Sequence, residues 1–537
     1  MVLTVILLFL GVNAAYAISE NKFFDEHRIK IESAIRVANT KLSQLGKSDS
    51  FFIEDTIQVC SDDGSVLFYL FNLQPQGYIA VSADYDLPPV IAYSFTNNFN
   101  IDDSRGNILQ MLKTDIELRL KNVPSLPENV IESRNLLWDE LSRKTELSSK
   151  TFQQWPPEGT TSTGGWLETN WHQDSPYNNF CPLDKNGQRS VAGCPAVAMA
   201  QILNYHERIN NITFNDTDDY YHNYAGNQYW IDDDHESYDF PSFPELNNYL
   251  ATLAYHYQNQ IPLTDDDKAA LTFACGVAAQ QVYTSEVSGT FGVNQAHQAY
   301  MRLGINGIEL LDENDANLYG RLRMNMIDGL PAHLAVVTPD WNAGHNLVVD
   351  GYNTDGYYHL NFGWGGYGNG WYLLPDEMPY GLTVIEGIIV DIMKNNSGAD
   401  VYCTGGLIWT DISPGDTVTG SFTVENVGEP GSLLNWGIDE YPEWGTWTFT
   451  PSGGENLTPE DGTVNVEVSV VAPDKKIRNF EGYIKIVNED DGNDCFILQV
   501  SLTTPIQNHL PALEILKHLA LQLPILKKIF DYWQIVS

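Results

Sequence analysis

An α+β fold carrying a separate β-rich module is what the sequence predicts, and three observations predict it. The 537 residues are too many for one ordinary core and suggest two to four domains. Helical patterns cluster between 195 and 281 and strand patterns follow between 334 and 392, the segregated order of an α+β domain. From 400 to 504 the chain turns to short alternating runs broken by Gly, Pro, Asp and Asn. About seven strands in roughly 100 residues read as an immunoglobulin-like β-sandwich.

Composition narrows the class. A content of 43% hydrophobic and 12% aromatic residues builds globular cores. The formal charge of −41, from 70 acidic and 29 basic residues, excludes a general nucleic-acid binder, which needs a basic surface. Six cysteines stand at 60, 181, 194, 275, 403 and 495. They are too few for a disulfide scaffold and too widely spaced for a zinc ribbon. Cys403 and Cys495 flank one candidate domain and are a candidate pair.

Taken in order, residues 1–17 read as a signal peptide. An apolar run from Val2 to Leu10 leads to Ala15-Tyr16-Ala17, a small-x-small cleavage pattern. Residues 18–155 form an N-terminal unit and linker. A helical pattern spans Phe23–Leu45, a strand–turn–strand spans 66–84 with Gly77 near the break, and helices follow at 108–122 and 129–148. The stretch 151–165, TFQQWPPEGTTSTGG, is a linker by composition and the first natural place for proteolysis. Residues 156–398 form the larger unit, with helices near 195–208, 244–256 and 267–281. Its strands are expected at 334–338, 345–353, 357–364, 370–374 and 382–392. The sandwich takes 399–505. Residues 506–537 form an amphipathic tail with Lys517, His518, Lys527 and Lys528, suited to weak membrane contact or to packing on the preceding domain.

The residues that carry chemistry lie in the larger unit. In SVAGCPAVAMAQILNYH (190–206), Gly193 permits an unusual turn and Pro195 suits a first helical turn. Cys194 then stands at a helix N-terminus, where the helix field favours a thiolate and lowers its pKa. A buried structural cysteine is the plain alternative. A thiolate nucleophile needs a base and oxyanion donors. His345, in AGHNLVVDGYN, follows Gly344 at the start of a strand and can exchange the thiol proton. His206, His333 and His359 are local competitors. In HLNFGWGGYGNGWY (359–372), the Asn361 amide could orient the imidazole and Trp364 could cover it. In ETNWHQDSPYNNFCP (168–182), the Gln173 amide could join the Cys194 backbone N–H around an oxyanion.

WHQDSPYN, AGCPAVAMAQILNYH, AGHNLVVDGYN and YHLNFGWGG, in this order, resemble the streptopain family of secreted papain-like cysteine peptidases. The segment QGYIAVSADYDLPPVIAYS (76–94) resembles that family's propeptide. The resemblance covers residues 19–394. It implies a papain-like catalytic domain of two subdomains, with Cys194 as nucleophile, His345 as base, and Gln173 and Asn361 as helpers. Phe362 stands where the family has the first tryptophan of its N-W-G-W motif, which puts the support of His345 in question. Pro195 replaces the more usual valine. Ser288-Gly289 resembles the glycine-bearing wall of the substrate groove, where backbone groups would pair with a peptide; Gly344 and Trp364 are the other expected substrate contacts. The resemblance implies no metal or organic cofactor. It implies protein or peptide substrates, inhibition by the chain's own propeptide, and a secreted or cell-surface location. A cell-surface, glycan or protein ligand is expected for the sandwich. The rival readings are an inactive surface-binding protein and a cysteine amidase or transpeptidase.

Overall fold

The computed structural model describes residues 27–99, 108–142 and 152–504, apart from 208, 210–211, 306, 316–317, 340–343, 375–384, 394–397, 411, 429 and 476–477. The expected signal peptide and tail lie outside the described residues. No helix among the described residues is long and apolar enough to cross a membrane.

The N-terminal unit begins with helix α1 (Ile31–Gln44), which buries Ala34, Val37, Ala38, Lys41 and Leu42 on one face. Strands β1 (Phe52–Cys60), β2 (Val66–Gln74), β3 (Tyr78–Ser82) and β4 (Val90–Ser94) form an antiparallel meander. Gly77 turns β2 into β3 at φ +102°, and a Cβ there would meet the Ser94 carbonyl oxygen at 2.2 Å. Only glycine fits that turn. Helices α2 (Ile108–Asn122) and α3 (Glu128–Ser142) follow. Trp138 of α3 is fully buried and donates its indole N–H to the Leu87 carbonyl at 2.8 Å, which fixes the helix on the meander.

The larger unit holds the expected helices and strands. After β5 (Gln154–Trp155) come α4 (Cys194–Tyr205) and the hairpin β6 (Tyr221–Tyr224) with β7 (Asn227–Trp230). Helices α5 (Phe243–Gln258) and α6 (Asp265–Ala278) each start in a reciprocal capping box, Ser242 with Glu245 and Thr264 with Asp267. The next elements are α7 (Val293–Arg302), β8 (Glu309–Asp312) and α8 (Leu318–Ile327); neither helix was expected. Then come β9 (Ala332–Val337), β10 (Gly344–Asn353), β11 (Tyr357–Asn361), β12 (Gly370–Leu373) and β13 (Ile385–Val390).

One sheet runs through both units, in the order β1-β2-β3-β4-β12-β11-β10-β9-β13-β8, with β5 also on β10. The join is the antiparallel pair β4–β12, where Tyr93 faces Trp371 and Ala92 faces Tyr372. Buried polar contacts reinforce it. The hydroxyls of Tyr78 and Tyr372 meet at 2.7 Å over the Gly368 carbonyl, and Asn353 Nδ2 donates to Tyr93 Oη at 3.0 Å. Lys41 Nζ reaches Asp355 at 2.9 Å and lies over the rings of Tyr93 and Tyr357.

The stretch 151–165 is not the open linker its composition suggests. Gln154 and Trp155 pair with Asn353 and Tyr352, and Thr163 is buried, its hydroxyl donating to the Leu167 carbonyl at 2.6 Å. Aromatic side chains in a Pro- and Gly-rich segment supplied the apolar area that docks it. Among its described residues, Pro157–Thr160 and Ser162 are the exposed ones.

The sandwich has nine strands among the described residues. One sheet orders β14 (Val401–Thr404), β16 (Thr417–Asn426), β20 (Val464–Val471) and β18 (Thr446–Thr450). The other orders β15 (Leu407–Trp409), β22 (Asp491–Thr504), β21 (Arg478–Asn488), β17 (Leu434–Glu440) and β19 (Gly453–Leu457). The suggested Cys403–Cys495 pair is corrected: both are free buried thiols, Cys403 in the inter-sheet core and Cys495 in a small cluster beside Ile327. The sandwich meets the larger unit at α8, where Arg323 donates to the Ile497 carbonyl at 2.7 Å and Met324 enters the sandwich core.

Candidate active site

The site forms where α4 meets β10. Gly193 holds φ +87°, and Pro195 occupies the first turn behind Cys194. Residues 195–203 are all buried, and the small side chains of Ala196, Ala198 and Ala200 let α4 pack closely against its neighbours α6 and β10. The segment before Cys194 is pinned from both sides. The Ala192 N–H donates to the Gln173 carbonyl at 2.9 Å and the Val191 N–H to the Thr284 carbonyl at 3.0 Å. The fully buried Gln281 donates Nε2 to the Ala192 carbonyl at 2.7 Å. A Cβ on Gly193 would meet Gln281 Oε1 at 2.7 Å, so the turn needs its glycine. Sequence reading missed Gln281: a lone glutamine far down the chain carries no motif.

Cys194 stays partly exposed, and the Asn346 backbone N–H of β10 donates to its sulfur at 3.5 Å. His345, the preceding residue, is buried. Its Nε2 donates to the Phe362 carbonyl at 2.8 Å. A carbonyl only accepts, so the proton sits on Nε2 and Nδ1 keeps the lone pair. That is the tautomer a base needs if Nδ1 is to take the thiol proton. Trp364 stacks on the imidazole with centroids 4.2 Å apart, and Phe362 stacks on Trp364 at 5.4 Å. Trp364 thus covers one face of the imidazole.

Asn361 does not orient His345 directly, and here the expectation is corrected. Its Nδ2 donates to the Thr169 carbonyl at 2.8 Å, and its Oδ1 accepts from the Gly363 N–H at 3.1 Å and from Gln201 Nε2 at 3.3 Å. It ties the turn after β11 to α4, while the Phe362 carbonyl holds the imidazole. The buried Asn369 fixes that carbonyl's neighbourhood by accepting from the Phe362 N–H at 2.9 Å. The ring at position 362 matters less than its peptide, which any residue supplies. The loss of a tryptophan N–H there leaves the hydrogen bond to His345 intact.

Gln173 lies beside the Cys194 turn through its backbone, and its side chain is partly exposed. Gly289 lies near Pro195, 3.7 Å from a Cβ built on it. Its N–H and carbonyl already pair with Val282, at 2.9 and 2.8 Å, so the expected peptide pairing has no free Gly289 N–H. Ser288 is buried and its hydroxyl closes its own loop onto Thr284. Gly289 is therefore placed beside Pro195 with its own backbone already paired. Gly344 is exposed at the start of β10, paired with Val337. Among the competing histidines, His359 is tied to Asp350 at 2.6 Å beneath Gly165.

The electrostatics differ from the expected thiolate. Burial pushes the Cys194 thiol up, against the pull of the Asn346 hydrogen bonds. Burial pushes His345 down to about 4, against the Phe362 hydrogen bond. Both shifts have desolvation as their largest cause, and in each the hydrogen bonds pull the other way. The N-terminal unit approaches the same place. Asn98 accepts from the Gly368 N–H at 3.1 Å, and Asn97 Oδ1 would be 2.8 Å from a Cβ on Gly366. Both contacts fall on the turn that carries Trp364. No cluster able to hold a metal ion occurs among the described residues.

Residues 171–372 match the peptidase C10 family model, and residues 22–119 match the Spi protease inhibitor model. The chain is 25% identical over 337 residues to the thiol protease/hemagglutinin PrtT of Porphyromonas gingivalis, covering 61% of this chain and 36% of that one. It therefore spans little more than a third of that relative. It is 22% identical over 339 residues to streptopain of Streptococcus pyogenes, covering 58% of this chain and 75% of that one. A solved fragment of prointerpain A from Prevotella intermedia is 21% identical with a TM-score of 0.43, over 62% of this chain and 97% of the fragment.

Proposed function

The chain belongs to the peptidase C10 family of papain-like cysteine peptidases, and from that premise we propose that it is a secreted cysteine endopeptidase made as an inactive precursor. The observation that carries this reading is the meeting of α4 and β10: the strand that bears His345 touches Cys194 Sγ through the next peptide, with Nδ1 left as the basic nitrogen.

The Cys194 sulfur attacks the scissile carbonyl as His345 Nδ1 takes its proton. The Cys194 N–H and the Gln173 carboxamide hold the oxyanion. The imidazolium then protonates the departing amine, and water, deprotonated by the same nitrogen, releases the acyl group. The reaction calls for no metal or organic cofactor. Substrates on this reading are unfolded or extended segments of proteins.

The N-terminal unit acts as the inhibitor. It supports this role by extending the catalytic sheet through β4 and by pressing Asn97 and Asn98 on the Trp364 turn. Activation cleavage within 157–160 meets exposed backbone. The reading is tested by following maturation of wild type beside Cys194→Ala. Wild type shortens to a form that releases new peptide termini from an unfolded protein, and the variant does neither. A Cys194→Ala chain that matures and cleaves at the wild-type rate would sink the proposal.

The sandwich is read as an anchor for a cell-surface, glycan or protein ligand. Tyr441, Phe449, Trp447 and Trp444 form a contiguous aromatic row on it, with Tyr441 exposed. Tyr441→Ala then lowers retention on cells while peptide turnover holds; unchanged retention counts against the anchor.

A further inference from the structure

We propose that Asn346, oriented by the buried pair His333 and Tyr300, stabilises the Cys194 thiolate, and that these three residues form a polar relay from α7 to the nucleophile. The inference rests on the reading of Cys194 as nucleophile, and it adds residues that neither the motifs nor the reaction above assign.

Alternation along β10 divides its side chains between two faces. Leu347 and Val349 enter the core that holds Phe362 and Trp364, whereas Val348 enters the core built around α4. Asn346 shares the Val348 face and so stands on the Cys194 side, while His345 stacks with the aromatic side. The Asn346 N–H already points at Sγ, at 3.5 Å.

Its carboxamide is not free to turn. Asn346 Oδ1 accepts from His333 Nε2 at 2.7 Å. His333, on β9, is fully buried, and its Nδ1 accepts from the Tyr300 hydroxyl at 3.2 Å. Tyr300 belongs to α7, is also fully buried, and meets the imidazole edge-on at 88°. The tyrosine proton thus fixes the tautomer of His333, and the His333 proton fixes the oxygen end of Asn346. With the oxygen tethered, the NH2 end is directed toward the sulfur.

The sign of the effect follows. N–H donors beside a sulfur favour the anion over the thiol, and Asn346 acts on Cys194 in that direction through both its backbone and its side chain. Burial holds His333 down to about 4, so it orients Asn346 as a neutral donor without placing a charge beside the site. The titratable group that the proposed mechanism brings to the sulfur is His345, the residue before Asn346 on β10. Asn346 therefore offsets part of the desolvation that keeps the thiol protonated. His333 and Tyr300 are positioning residues, since they act only through Asn346.

The test reads the thiol, not peptide hydrolysis. The full chain is alkylated with iodoacetamide across a pH series, and modification of the Cys194-bearing peptide is followed by mass. Asn346→Ala is expected to move the midpoint up by about one pH unit, about tenfold slower alkylation at a fixed pH below it. Asn346→Asp, of the same shape but negative, moves it further. Tyr300→Phe keeps the packing and moves it up by a smaller amount, and this variant carries the test if the Asn346 variants do not fold. Midpoints within about 0.2 of wild type in both Asn346→Ala and Tyr300→Phe would overturn the relay. A wild-type chain that cleaves no peptide while these shifts persist would instead sink the peptidase reading and leave the relay standing.

Discussion

On one side of the cleft, the chain before Cys194 is gripped by three separate partners: the Gln281 side chain and the carbonyls of Gln173 and Thr284. On the other side, His345 depends on one peptide carbonyl and a two-ring stack, Trp364 on Phe362. The difference decides what each wall tolerates. The Cys194 wall is sensitive to side-chain identity, since Gly193 and Gln281 fill each other's space. The His345 wall is sensitive to backbone placement, which Asn361 and Asn369 secure from either side of Phe362. Phe in place of Trp is therefore a mild change, whereas the same degree of change at Gln281 is not.

Substitutions on the two walls can break or sharpen this contrast. The largest effect is expected of His345→Ala, which on the proposed mechanism removes base and acid together and lowers kcat/KM by about 10³-fold or more. Turnover of a fluorogenic peptide by the matured chain checks it. Gln173→Ala, on the proposal that its carboxamide holds the oxyanion, lowers kcat by about 10²-fold with KM little changed, in the same assay. A fall in KM-dependent binding alone would show that Gln173 only lines the groove.

Gln281→Leu leaves the Ala192 carbonyl without its buried donor, at about 1–3 kcal/mol of stability. Urea denaturation should show that loss together with a fall in kcat, because the Gly193–Cys194 turn relaxes. Phe362→Leu, on the other wall, retains the carbonyl; its kcat is expected to stay within about tenfold of wild type. Equal damage from the two substitutions would erase the contrast between the walls.

The smallest effect is read in acid. His333 and His345 are held at about 4 against an ordinary 6.5. The unfolded chain therefore binds more protons between these values, and stability is full above 6.5 and lost as the pH falls toward 4. Each imidazole contributes on the order of 1.4 kcal/mol per pH unit across that window. Thermal unfolding of the precursor should show a falling Tm from pH 6.5 to 4.5, and a shallower fall in His333→Gln.

The contrast between the walls also separates what the sequence disclosed from what it concealed. Gly193, Pro195 and the alanines after them announced the start of α4, because turn and helix-start preferences are local. The alternation in HNLVVDGYN announced β10 in the same way. The Phe362 carbonyl was hidden, since a backbone acceptor has no residue type. Asn361 was misjudged because its amide satisfies the turn and α4 before it can reach the imidazole. Gln281 and the pair His333–Tyr300 are brought in by tertiary packing. So is the β4–β12 join, which merges two units whose sequence patterns read as separate. Burial, which pushes the Cys194 thiol up, is likewise a quantity that local sequence does not give.

The most direct test of Cys194 as nucleophile and His345 as its base is covalent labelling of the matured chain with a peptidyl electrophile, followed by peptide mass mapping. The added mass is expected on the Cys194-bearing peptide alone, abolished in His345→Ala, with peptide turnover falling in step with labelling. Label on any other cysteine-bearing peptide of the matured chain, or full turnover with Cys194 unmodified, would contradict the account.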